Sequence, residues 1–116
     1  MALDAAEFLR ANGPEKAFPL FNTGVAPWRD HELFVVVWDV TGKVAAHGGN
    51  SALIGRQVLD ARDVDLKPFV QEALAIPESG WLTYRWLNTR SNLVEARSSF
   101  IVRVGDYAVE VGTYDR

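Results

Sequence analysis

The apolar positions follow two rhythms, and the change from one to the other lays out the chain. Near the start, Ala5, Phe8 and Leu9 recur at helical spacing between Asp4 and Ala11, and Asn12-Gly13 ahead of Pro14 stops the run. A second short helix is predicted from Pro14 through Phe21, with Pro14 in its first turn and Ala17, Phe18 and Phe21 on one face. Two amphipathic segments of this kind make a lid for something flat. Gly24, Pro27 and the charged pair Arg29-Asp30 then mark a loop.

Beyond that loop the rhythm shortens. Leu33 to Trp38 is continuously apolar and rich in valine, which predicts a central strand covered on both faces. Asp39-Val40-Thr41-Gly42 turns the chain, and Lys43 to His47 returns as the second arm of a hairpin. Gly48-Gly49-Asn50 ends that arm, and Ser51 to Asp65 is turn-rich, with one short helical turn predicted after Asn50 as its cap. A helix is expected from about Leu66 to Ile76, with Phe69, Val70, Ala73 and Leu74 inward and Pro77 closing it. Trp81 to Leu87, Leu93 to Val104 and Tyr107 to Tyr114 read as three strands, the last two joined by Gly105-Asp106. Helices first and hairpin-linked strands afterwards, with no βαβ alternation, predict an antiparallel sheet in the α+β class.

Composition narrows the class further. A chain of 116 residues holds one domain, taken as residues 1–116, and buries roughly two thirds of its unfolded surface without a disulfide or a structural metal. The absence of cysteine excludes cystine scaffolds, zinc fingers and thiol catalysis. A net charge of −3 makes nucleic acid a poor generic partner. No membrane span is expected, because the longest apolar run, Leu33 to Trp38, falls far short of the ~20 residues needed. The first residues have neither a basic leader nor a long apolar run, so they do not read as a secretion signal or an anchor. The expected compartment is therefore the cytoplasm, or an extracytoplasmic space if a targeting segment has been removed.

Strand parity is the most informative guide to chemistry, since side chains alternate between faces. In the Leu93-to-Val104 strand the even positions are almost purely apolar and read as core, whereas the odd ones include Glu95, Arg97, Ser99 and Arg103. The odd face is either solvated or lines a cavity. In the second case a buried Arg97 needs an anion, and its planar fork suits a carboxylate. If no protein acid supplies that carboxylate, a ligand does. Arg85 sits between Tyr84 and Trp86, so alternation sets it on the opposite face from those rings. Phosphate loops, calcium loops, metal triads and nucleophile elbows find no match in the residue spacing.

The segments Ala17-Phe18-Pro19-Leu20-Phe21-Asn22, Phe34 to Asp39 followed by Gly42, Ala46-His47, Leu53-Ile54-Gly55, Asp63 to Val70 and Gly80-Trp81 through Trp86 appear in order. Arg97-Ser98-Ser99-Phe100-Ile101-Val102 and Val111-Gly112-Thr113-Tyr114 follow. Together they resemble the single Cache domain, the extracytoplasmic sensor module of chemoreceptors and sensor kinases, also found as small stand-alone proteins. The resemblance implies a PAS-like fold, a five-stranded antiparallel sheet with the N-terminal helices on one face and a helical and loop roof over a small pocket on the other. It also implies a short carboxylate such as acetate, propionate, pyruvate or lactate, bound without chemistry, cofactor or metal. The family commonly reads Lys-x-Ser-Tyr where this chain has Arg97-Ser98-Ser99-Phe100, and tyrosine where it has Phe34. The cation is kept while two phenolic hydroxyls are lost, which points to a less polar pocket or a two-point arginine clamp.

On this resemblance Arg97 clamps the ligand carboxylate, His47 and Tyr84 donate hydrogen bonds, and Trp86 with Phe34 or Trp38 forms the apolar walls. Arg85 and Ser99 complete the candidate set. The expected partners are a small organic acid and either a second copy of the chain or a signalling protein. Two rival readings stand beside this one. The first is an interaction module without a small ligand. The second is a small enzyme with His47 as general base, which requires a carboxylate within hydrogen-bond reach to orient the ring.

Overall fold

The computed structural model describes residues 1–88 and 91–114. Helix α1 spans Ala2–Asn12 and α2 spans Pro14–Asn22, each within a residue or two of its predicted limits. They are followed by strands β1 (Arg29–Asp30), β2 (Leu33–Asp39) and β3 (Val44–His47), a 3-10 turn at Ser51–Leu53, and helix α3 (Phe69–Leu74). Strands β4 (Ser79–Asn88), β5 (Leu93–Val104) and β6 (Tyr107–Tyr114) close the chain.

The sheet is antiparallel, with β3, β2, β6, β5 and β4 as successive neighbours and β1 paired to the first residues of β2. It therefore has six strands where five were expected. The extra one is the Arg29-Asp30 segment read above as loop. His31, at φ 55°, lets the chain double back at once, so Arg29 lies opposite Phe34 and Asp30 opposite Leu33.

Both faces of β2 are covered, as its unbroken apolar run predicts. Val35 and Val37 point to the helices, where they meet Ala5, Ala6, Leu9, Ala17, Phe21 and Trp28 together with Val102 and Val109. Alanines at the contact let α1 approach the sheet closely. Val36 and Trp38 point the other way and pack with Phe69, Val70, Ala73, Leu82 and Tyr84. The even face of β5 departs from expectation. Its Phe100, Val102 and Val104 pack with the helix-side core, but Val94 lies beyond that cover and is 42% exposed.

Helix α3 is shorter than predicted because an aspartate organises the chain ahead of it. One Asp63 carboxylate oxygen accepts the Asp65 and Lys67 amides at 2.8 and 2.9 Å, and the other accepts the Arg85 amide at 2.9 Å. The residues expected to form the first helical turn are thus tied to the free edge of β4. These three amides outweigh burial and hold the Asp63 carboxyl below its usual range. The result is a roof, running from the 3-10 turn to α3, fixed over the face of the sheet that the N-terminal helices leave open.

Candidate functional site

Between that roof and the sheet lies a cavity of about 470 Å³. Strand register decides which side chains enter it. On the cavity face Tyr84 stands opposite Arg97, and Arg97 opposite Tyr114. One rung further Ser99 faces Gly112, and after that Ile101 and Val36 flank Glu110. With no side chain at Gly112, Arg97 lies across that rung, and its Nη2 comes within 3.7 Å of Glu110 Oε1. A Cβ at position 112 would strike both the Arg97 guanidinium and Ser99 Oγ.

Arg97 is thus buried, at 5% exposure, not solvated, and a protein acid does supply an anion beside it. Glu110 went unnoticed in the sequence. It is 1% exposed, and the Tyr84 hydroxyl donates to its two oxygens at 3.2 and 3.3 Å. The signal was present as a lone carboxylate in Val109-Glu110-Val111, inside a strand otherwise free of charge. Burial works against the Arg97 charge, but the neighbouring Glu110 outweighs it and raises the guanidinium pKa. For Glu110, burial is the larger effect, and the carboxyl is pushed up despite Arg97 and Tyr84. Burial, then the Glu110 charge, likewise pushes the Tyr84 phenol up. The pair is not saturated, since Arg97 Nε and Ser99 Oγ are both buried without a hydrogen-bond partner among the described residues.

His47 reaches the cavity from the end of β3. The Gly48-Gly49 step that follows folds the chain back, so the amides of Gly49 and Asn50 donate to His47 Nδ1 at 3.1 and 2.8 Å. Gly49 also leaves space for the Phe34 ring, which a side chain there would hit. Burial first, and Arg97 second, lower the His47 pKa to about 4, so the ring is neutral at pH 7. With Nδ1 accepting, the proton sits on Nε2, a donor that has no partner among the described residues. The ring is oriented by backbone amides, not by the carboxylate that the general-base reading requires.

Phe34 ties the polar end together. Its ring centroid lies 5.2 Å from that of His47, 5.5 Å from the Arg97 guanidinium and 5.3 Å from the Arg29 guanidinium. Arg29 and Tyr114, neither anticipated, also line the cavity. Away from this cluster the walls are apolar. Phe69 from α3 stacks on Tyr84 with centroids 4.4 Å apart and meets Trp86 and Trp38 edge-on at 5.3 and 6.4 Å.

Six of the eight candidate residues, Arg97, His47, Tyr84, Trp86, Phe34 and Trp38, line this space. Two do not. Arg85 is exposed, with its guanidinium 3.3 Å from Asp65, because strand alternation turns it away from Tyr84 and Trp86. Ser99 is fully buried at the Gly112 rung, outside the cavity lining. Arg103 is half-buried and bonds the Leu74 carbonyl at 2.8 Å instead of facing water. Arg90 lies outside the described residues.

A cavity roofed by loop and short helix on one face of such a sheet has a counterpart in sequence. The family described as Single Cache domain 2 matches residues 17–114. The chain belongs to that family. Among solved structures this Cache domain is similar to the periplasmic sensor domain of a chemotaxis protein, at 20% identity and a TM-score of 0.79, covering 99% of this chain and 88% of that one. A Cache chemosensory domain studied for carboxylic acid recognition has 16% identity and a TM-score of 0.76, with 99% and 84% covered. The PAS domain of a quorum-sensing receptor from Cronobacter turicensis, in complex with BDSF, has 12% identity and a TM-score of 0.57, with 76% and 98% covered. These likenesses establish the PAS-like fold. No curated protein matches the chain. No helix among the described residues is long and apolar enough to cross a membrane.

Proposed function

We propose that this Cache domain is a non-catalytic sensor that binds a small organic acid in the roofed cavity and passes the signal to a partner. The observation that carries the reading is the Arg97 group, a buried cation bordering the cavity, whose ion pair to Glu110 spans 3.7 Å and whose Nε has no hydrogen-bond partner among the described residues. A buried guanidinium held this loosely keeps donor capacity for an incoming anion. The His47 Nε2–H and the Arg29 guanidinium supply further donors around the same Phe34 ring. The raised pKa of Glu110 favours uptake of a proton as a ligand carboxylate arrives, which removes the repulsion between the two. The related carboxylic-acid-binding Cache domain supports the same ligand chemistry. The likeness to a periplasmic sensor domain supports a location outside the cytoplasm, with a second copy or a signalling protein to receive the output.

Thermal unfolding against a panel of organic acids tests the proposal. A ligand at about 100 times its Kd adds about 2.7 kcal/mol, a rise of several degrees in Tm for a domain of this size. The rise is expected to vanish in Arg97→Ala. A panel that leaves Tm unchanged, or an Arg97→Ala variant that binds as well as the native chain, contradicts it.

A further inference from the structure

We propose that the acid is aromatic, one ring on a short carboxylate arm, and not an acid of two to four carbons; this rests on the organic-acid reading above. The first observation is size. The cavity holds about 470 Å³, whereas an engineered apolar cavity of about 150 Å³ accepts benzene. Acetate, pyruvate and lactate have no more heavy atoms than benzene, so any of them leaves most of the space to water facing apolar walls.

The second observation is polarity. The donors that suit a carboxylate gather around Phe34, with Arg29, Arg97 and His47 all within 5.5 Å of its ring by centroid or guanidinium carbon. Four residues along β2 from Phe34 stands Trp38, about 13 Å further at the rise of an extended strand. A carboxylate with one or two carbons covers only the Phe34 end. The remaining length calls for an apolar body attached to the anionic head.

The third observation is the kind of wall. Phe69 brings Trp38 and Trp86 together, meeting both edge-on, and each of these three rings borders the cavity. A flat ring entering there takes up the same offset or edge-to-face contacts that the protein rings already make with each other. A flexible alkyl chain fills the volume without that geometric match and loses more rotamer freedom on binding.

Isothermal titration of the full chain compares acetate, propionate, pyruvate and lactate with benzoate, phenylacetate, 3-phenylpropionate and indole-3-acetate, with phenylacetamide as the neutral control. The expected result is an aryl acid binding at least tenfold more tightly than the best short acid, and phenylacetate binding at least tenfold more tightly than phenylacetamide. Ala61→Leu, which narrows the apolar end, is expected to weaken the best aryl acid at least fivefold. A short acid binding as tightly as every aryl acid overturns the size inference while the organic-acid reading stands. Failure of all acids overturns both, and phenylacetamide binding as well as phenylacetate overturns the carboxylate requirement.

Discussion

On the helix face of the sheet, Val35, Val37, Val102 and Val109 meet Ala5, Ala6 and Phe21, and nothing charged lies among them. On the opposite face β5 and β6 carry Arg97 and Glu110, and neighbouring β4 carries Tyr84, all buried, beneath a cavity. The strands and the hydrogen-bond ladder are shared, so the contrast comes from the side chains and what covers them. One face is covered by the N-terminal helices, with a smaller space of about 330 Å³ beside Met1, Leu33 and Phe100. The other retains an ion pair whose desolvation works against stability and leaves space above it. The difference between the two faces can be probed residue by residue.

The largest effect is expected on the helix face. Phe21 is fully buried against the Phe8, Phe18 and Trp28 rings, and Phe21→Ala should cost about 4 kcal/mol in chemical denaturation with no change in acid specificity. Across the sheet, Arg97→Met leaves Glu110 buried without its cation, and a loss of about 3 kcal/mol is expected at pH 7, shrinking as pH falls and Glu110 takes up a proton.

The pH dependence sharpens the contrast further, since Arg97, Glu110 and Tyr84, all buried and titratable, lie on the cavity face. The folded-state pKa of His47 is depressed from 6.5 to about 4, so its contribution is present above pH 6.5 and is lost as pH falls toward 4. Denaturant titrations between those values should show the native chain losing about 2 to 3 kcal/mol more than His47→Gln. Glu110 has the opposite sign. Its folded pKa is raised above 4.5, so its contribution is present below that value and declines as pH rises through the folded pKa. The smallest effect is expected at Gly112→Ala, where the new methyl must displace Arg97 or Ser99. A loss of about 1 to 2 kcal/mol in stability, with weaker acid binding, is the expected outcome.

Much of the fold was legible because it rests on local signals. The valine run of β2, the Gly105-Asp106 turn and the Asn12-Gly13-Pro14 stop each act within a few residues, and all three elements stand where periodicity put them. Helix α3 was overextended because the Asp63 carboxylate binds amides up to 22 residues away, a contact that periodicity does not carry. The site was half legible for a related reason. Parity in β5 set Arg97 on a distinct face, but its partner lies on β6, and pairing the two required knowing that β6 runs between β2 and β5. Arg29 was missed because a two-residue strand leaves almost no pattern.

The central claim is that the Arg97–Glu110 pair serves ligand binding and not the stability of the sheet. Thermal unfolding of the double variant Arg97→Met, Glu110→Met, with and without the best acid from the panel, tests it most directly. The account predicts a double variant at least as stable as the native chain, because both buried charges are removed together, and no rise in Tm on adding the acid. A double variant as unstable as Phe21→Ala, or one that the acid still stabilises as it does the native chain, would contradict it.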